Sequence, residues 1–152
     1  MWQVNLKKCL KIFDKVYVSS DSQFILDQAE ELGAIGILRS ERLCGDTPNI
    51  TVYQSMYELE RVDAFVAVQA NSPNIDCNTI AFVKKLLKLG VDEVMTCHED
   101  YSIYGSVWAM TSEKLKYYAD PYKPTPSILV KDLSEDIHTQ EDYQQALQNY
   151  GK

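Results

Sequence analysis

Ala64-Phe65-Val66-Ala67-Val68 is apolar at every position and stops in Gln69-Ala70-Asn71-Ser72-Pro73-Asn74, a polar stretch rich in turn-forming residues. A strand with one wet face alternates apolar and polar side chains, so an unbroken apolar run marks a strand covered on both faces. Its flanks read as amphipathic helices. Upstream, Asn49 can cap a helix that turns Val52, Met56 and Leu59 inward. Downstream, from about Asn78 to Leu89, Ile80, Val83 and Leu87 share a face, and Gly90 suits the residue past the helix end. This arrangement predicts a sheet sandwiched between helical layers, with Ala64–Val68 in its middle.

The same alternation extends outward. Val4, Leu6, Cys9, Leu10 and Phe13 have helical spacing, and the β-branched run Lys15 to Ser20 reads as a buried strand. Asp21 can cap a helix bearing Ile25, Ala29 and Leu32, which Gly33 ends before a second strand, Ala34 to Leu38. Further strands are expected at Glu93–Thr96 and Val107–Met110, with a short helix at Glu113–Tyr118 and an edge strand at Ile128–Val130. Thr139-Gln140-Glu141-Asp142 has capping-box spacing and starts a last helix whose inner face carries Tyr143, Ala146, Leu147 and Tyr150. The expected fold class is α/β, a three-layer α/β/α sandwich on a mostly parallel, Rossmann-like sheet.

The 152 residues suit one domain, 1–152, and 45% hydrophobic with 24% charged residues excludes a disordered chain. A net charge of −7 argues against a nucleic-acid backbone as partner. Free nucleotides remain open, because a divalent cation can neutralise their phosphates inside an acidic protein. No apolar run approaches the ~18 residues of a membrane span, and the N-terminus has no signal-peptide core, so the cytoplasm is the expected location. Cys9, Cys44, Cys77 and Cys97 form no CxxC pair and are expected to be small, buried or half-buried thiols. His98 lies in a charged loop and reads as a solvated residue.

In open parallel sheets ligands bind beyond the carboxyl ends of the strands. Three polar stretches fall there. Ser19-Ser20-Asp21-Ser22 opens a helix, where free N–H groups favour anions. Gln69 and Asn71 offer side-chain amides able to read a base or a sugar edge. Asp136-Ile137-His138 precedes the last helix and could hold a divalent metal or cap the turn.

Taken in order, these stretches resemble the acylneuraminate cytidylyltransferases, makers of CMP-sialic acid, with CMP-Kdo synthetases as relatives. The resemblance runs through Ile12-Phe13-Asp14-Lys15-Val16-Tyr17-Val18-Ser19-Ser20-Asp21-Ser22 and Leu38-Arg39-Ser40-Glu41-Arg42-Leu43 with Gly45-Asp46-Thr47. It continues through Gln69-Ala70-Asn71-Ser72-Pro73, similar to a Q-P-T-S-P segment, and Asp136-Ile137-His138-Thr139, similar to D-I-D-T. It implies a nucleotide-diphospho-sugar transferase-like fold and a nucleotidyltransferase reaction. In that reaction a hydroxyl of a nonulosonic sugar acid attacks the α-phosphate of CTP and releases pyrophosphate, with Mg²⁺ as cofactor. It also implies that Ser20, Arg39, Gln69 and Asn71 meet the CTP or CMP-type nucleotide, and that Asp136, with His138 beside it, faces the metal. A homodimer is expected from the resemblance as an open possibility.

Departures accompany the likeness. The family begins with a strand and a Gly/Ser/Arg/Lys loop around the triphosphate, whereas Met1-Trp2-Gln3 reads as the start of the helix that follows that unit. His138 stands at the second metal aspartate, Tyr104 stands at an asparagine near the sugar, and the family's long excursion between Thr96 and Gly105 is short. The expectation is weak nucleotide binding and slow turnover by this chain alone. A non-catalytic nucleotide- or partner-binding module is the alternative. A glycosyltransferase reading would need an Asp-x-Asp motif, which the sequence lacks.

Overall fold

Local rules place most of the elements. A computed structural model describes residues 1–149. In chain order they form α1 (Trp2–Ile12), β1 (Tyr17–Ser20), α2 (Gln23–Glu31), β2 (Ile35–Leu38), a 3-10 turn (Glu41–Leu43), α3 (Asn49–Leu59) and β3 (Ala64–Val68). There follow α4 (Cys77–Lys88), β4 (Glu93–Cys97), β5 (Ile103–Thr111), α5 (Ser112–Lys116), β6 (Ile128–Lys131) and α6 (Gln140–Asn149). Gly33 ends α2 at φ +97°, a left-handed conformation that strains any side-chain-bearing residue. Two caps differ from expectation. Ser22, not Asp21, sits at the N-cap of α2, and Pro48 precedes α3 so that Asn49 is its first helical residue.

The strands form an α/β fold of the expected class. β1 and β2 pair in parallel, with Tyr17 opposite Ile35 and Ser20 opposite Leu38. The other four strands form a sheet in the order β3-β5-β4-β6. β5 runs antiparallel to β3 and β4 while β4 is parallel to β6, so β3, β4 and β6 share one direction. Helices cover both faces of this sheet. On one face Val94, Val107 and Ala109 pack with Ile80 and Val83 of α4; on the other, Met95, Trp108 and Met110 pack with Ile50 of α3 and Leu115 of α5. Each fully buried aliphatic side chain of this kind contributes about 1.5–3 kcal/mol.

The structure corrects the position of Ala64–Val68. This strand lies at an edge of the four-stranded sheet, and β4 and β5 occupy its middle. An apolar run reports on the faces of a strand, which helices cover, and says nothing about how many strands flank its edges. The consequence is visible in burial: all five side chains of β3 are half-buried, whereas all five of β4, paired on both edges, are buried.

Two helix faces also differ. In α3 Ile50 and Val52 are buried while Leu59, the last helical residue, is exposed. In α6 Tyr143 and Leu147 are exposed, so periodicity alone did not create a buried face there. Tyr150 lies outside the described residues. Thr139 and Asp142 do form a reciprocal capping box: the Asp142 N–H donates to Thr139 Oγ1, and Asp142 Oδ2 accepts from the Thr139 N–H at 2.8 Å. All four cysteines are free thiols, Cys9 and Cys97 buried and Cys44 and Cys77 half-buried. Among the described residues no helix is long and apolar enough to cross a membrane.

Candidate functional site at the strand ends

The segments that leave β1, β2 and β3 emerge on one side, and the predicted residues divide there into two groups. In the first, the Arg39 backbone N–H donates to Ser20 O at 2.8 Å, continuing the β1–β2 ladder. The Arg39 guanidinium turns back to Ser19, donating through Nη2 to the carbonyl at 2.8 Å and through Nε to the hydroxyl at 3.3 Å. Ser20 is buried, and its hydroxyl accepts the Ser22 N–H at 3.1 Å. A cavity of about 200 Å³ opens beside Arg39, between Ile37 and Leu38 of β2 and Val52, Ser55 and Met56 of α3.

The second group lies past β3. The Gln69 N–H donates to Ser106 O, and its side-chain Nε2 reaches Tyr53 Oη at 3.5 Å. The Asn71 carbonyl accepts the Ile137 N–H at 2.8 Å, which ties this loop to the segment carrying Asp136. Fully buried Ser72 donates its hydroxyl to Asp136 Oδ1. His138 Nε2 stands 3.8 Å from Asp136 Oδ2 and is largely exposed. Tyr53 links the two groups: its phenol meets Gln69 and feels the Arg39 charge, while burial drives its pKa well above the usual phenol value.

Sequence reasoning missed the residues that hold the Gln69–Ile75 loop. Asn5 is buried in α1, and its Nδ2 donates to Gln69 O at 2.8 Å and Ser72 O at 2.9 Å. Lys8, one helical turn on, donates to Pro73 O at 2.6 Å, Ile75 O at 2.7 Å and Asn5 Oδ1 at 3.3 Å. Burial lowers the pKa of Lys8, with the nearby thiols and carboxylates opposing that shift. An Asn between Val4 and Leu6 was the available signal, since a polar residue inside an apolar helical stripe usually has a buried partner.

Tyr104 was noted only as a departure, yet it organises a polar cluster next to this loop. Its hydroxyl donates to Asp132 Oδ1 at 2.9 Å, accepts from Ser106 Oγ at 2.9 Å and contacts Ser134 Oγ. Thr79 Oγ1 donates to the other Asp132 oxygen at 3.0 Å. Burial pushes the Tyr104 phenol up to about 12, so it stays a neutral donor at any physiological pH. The His98 ring stacks on Tyr104 with centroids 4.2 Å apart.

Among the described residues no three His, Cys, Asp or Glu side chains converge on a metal-sized point. Asp136 is a single carboxylate, already accepting from Ser72, and the imidazole beside it is a poor ligand for a hard cation. The donor set still fits Mg²⁺ in its usual protein mode, in which one or two carboxylates hold an ion otherwise ligated by phosphates and water. A larger cavity of about 510 Å³, lined by Asp92, Lys114 and Tyr118, lies at the opposite ends of the strands. Ser20, Arg39, Gln69, Asn71, Asp136 and His138 do not line it.

No family model matches the sequence, and no curated protein matches it. Solved structures do match. A CMP:2-keto-3-deoxy-manno-octonic acid synthetase complexed with CTP superposes with a TM-score of 0.73 at 11% identity, over 99% of this chain and 88% of that one. A Mycobacterium tuberculosis H37Rv protein in complex with manganese gives 0.70 at 13% identity, over 97% and 85% of the two chains. The 4-diphosphocytidyl-2C-methyl-D-erythritol synthase of Anaerococcus prevotii gives 0.67 at 14% identity, over 99% and 86%. At these identities the likeness is one of architecture, and this chain has the fold of these synthetases and synthases.

Proposed function

We propose that this chain is a cytidylyltransferase-type protein that binds a CTP or CMP-type nucleotide where β1, β2 and β3 end. Its reaction class is transfer of CMP to a nonulosonic sugar acid. The observation that carries the reading is the gathering of Arg39, Gln69 and Asp136 on one side of the strands, through Tyr53 and Ser72. In this reading Gln69 and Asn71 present amide groups to the cytosine or the ribose, and the guanidinium of Arg39 takes phosphate oxygens in a fork. A hydroxyl of the acceptor attacks the α-phosphorus and pyrophosphate leaves, so the protein's task is positioning and charge neutralisation. Asp136 is the residue that would hold a divalent cation against the phosphates, and that cation would supply most of the neutralisation.

A second reading, a binding module without chemistry, has its own support. Asp136 accepts from Ser72 and belongs to no group of three metal-ligating side chains among the described residues, Ser20 is committed to Ser22, and Arg39 is committed to Ser19. The experiment titrates the chain with CTP, UTP and ATP in the presence of Mg²⁺ and measures pyrophosphate release with a panel of sugar acids. The expected result is CTP binding preferred over ATP and weakened about tenfold by Arg39→Ala or Gln69→Ala, the loss of one charge-assisted or amide contact. Equal binding of all three nucleotides, insensitive to both substitutions, overturns the proposal. Binding without pyrophosphate release selects the binding module.

A further inference from the structure

We propose that the outer face of α1 and α4 rests on an anionic phospholipid surface. Charge is the first observation. The chain has 22 Asp and Glu against 15 Lys and Arg, yet α1 and α4 hold three lysines each and no acid. The nearest acids in the chain, Asp14 and Asp76, lie just outside the two helices.

The two helices are neighbours in one layer. Lys84 Nζ donates to Ile12 O at 2.5 Å, and Lys8 Nζ donates to Ile75 O at 2.7 Å, just ahead of α4. Ile12 packs on the cluster that contains Ile80 and Val83 of α4. Lys8 and Lys84 are therefore committed to backbone carbonyls across this seam. The other four, Lys7, Lys11, Lys85 and Lys88, are exposed, and among the described residues no carboxylate pairs with any of them.

Apolar exposure is the second observation. Phe82 is 49% exposed and Leu89, at the end of α4, is 70% exposed. Phe82, Lys85 and Leu89 follow at i, i+3 and i+7, so the lysine stands between two apolar side chains on the stripe opposite Ile80, Val83 and Leu87. The helix dipole favours cations in a last turn and accounts for Lys11, Lys85 and Lys88. It gives no reason for Lys7 or for the exposed Phe82 and Leu89.

These features fit a lipid surface better than another polyanion. A peptide needs a groove or a strand edge, and neither cavity described above is lined by α1 or α4. A nucleic-acid backbone is opposed by the chain's net charge of −7. A bilayer presents a plane, whose anionic headgroups attract lysines within about a Debye length and whose interface accepts Phe and Leu side chains. The plane also suits the neighbouring helix. α2 lies on the other flank of α1, where Gln3 Nε2 donates to Gln28 Oε1 at 3.3 Å, and it carries the exposed acids Asp27, Glu30 and Glu31. Those acids end the basic surface at α1 and tip the molecule onto α4.

The test sediments the full chain with vesicles of phosphatidylglycerol and phosphatidylcholine in equal parts. Salt is set at about 0.1 M and about 1 M, where charges act over about 10 Å and about 3 Å. Binding is expected at the lower salt only, with none to vesicles of phosphatidylcholine alone. Each lysine against an anionic surface is worth about fivefold in affinity, so Lys85→Gln combined with Lys88→Gln should weaken binding about 25-fold. Phe82→Ser should weaken it too, while Lys131→Gln, in β6, should leave it unchanged. The substituted side chains are exposed, so each variant is expected to keep the parent's urea midpoint. No binding to the anionic vesicles, equal binding to the neutral ones, or an equal loss from Lys131→Gln overturns the proposal. Binding to polyglutamate or duplex DNA in place of the vesicles also overturns it and assigns the face to a soluble polyanion. None of these readouts uses CTP, so the lipid face stands or falls separately from the proposed function.

Discussion

Replacing Asn5 with Leu tests whether α1 holds the loop that carries Gln69 and Ser72. The side chain is 3% exposed and donates to two carbonyls, Gln69 O at 2.8 Å and Ser72 O at 2.9 Å. Leucine fills a similar volume but donates nothing. Each buried carbonyl left without a donor costs about 1–3 kcal/mol. Ser72 O keeps the Ile75 N–H at 3.3 Å, and Gln69 is half-buried and can recover water, so the sum is expected near the low end for two such groups, about 2 kcal/mol. Lys8 retains Pro73 O and Ile75 O, which keeps the loop from detaching altogether. Against a typical domain stability of about 5–15 kcal/mol the variant still folds. With a urea slope of about 2 kcal/mol/M, the unfolding midpoint should fall by about 1 M at unchanged slope. Exchange of the Ile137 amide, which bonds to Asn71 O, should rise in the same variant because its acceptor lies in the loosened loop. A midpoint shift below about 0.3 M, equivalent to about 0.5 kcal/mol, would refute the reasoning, since it would mean that neither carbonyl loses anything with the Asn5 donor.

Two further outcomes follow from other parts of the molecule. Glu93 is fully buried at the start of β4 and accepts from Trp108 Nε1 at 2.9 Å and Tyr118 Oη at 2.7 Å, with Lys114 at 3.3 Å. Glu93→Ala removes the acceptor of two hydrogen bonds and the ion-pair partner of Lys114 and is expected to cost about 3–5 kcal/mol, with a change in Trp108 fluorescence; a loss under about 1 kcal/mol would contradict this. The Asp142 carboxylate is held below its ordinary value chiefly by the His138 and Thr139 N–H groups, with the Thr139 hydroxyl adding to them. A lowered acid pKa means that its contribution is present above the unfolded value of 3.8 and disappears as pH falls through the lower folded value. Exchange at the His138 and Thr139 amides should therefore accelerate below about pH 4 relative to the intrinsic rate, and Asp142→Asn should abolish that extra step.

Much of this protein was legible without coordinates, because its elements obey local rules. The i, i+3, i+4 spacing of Ile80, Val83 and Leu87 is a property of one helix, and Gly33 and Gly90 end helices by their own backbone freedom. The capping box at Thr139 and Asp142 closes within four residues and formed as read. The candidate residues were nominated because polar side chains just past strand ends share a side of a parallel sheet, and Arg39, Gln69, Asn71 and Asp136 do lie past strand ends or beside such a loop.

Other features depend on separations the sequence does not encode locally. Ala64–Val68 announces covered faces, but its place at an edge is decided by β5 returning antiparallel from 43 residues beyond, with Ala64 opposite Thr111 at a separation of 47 and Val68 opposite Val107 at 39. The buried role of Asn5 rests on carbonyls 64 and 67 residues away. The commitment of Arg39 to Ser19, which decides whether its charge is available, spans 20 residues and two strands. Periodicity and capping are energies between near neighbours and survive in any chain that folds. Edge position, loop anchoring and the state of a single guanidinium are set by which distant groups remain unpaired once the layers have packed.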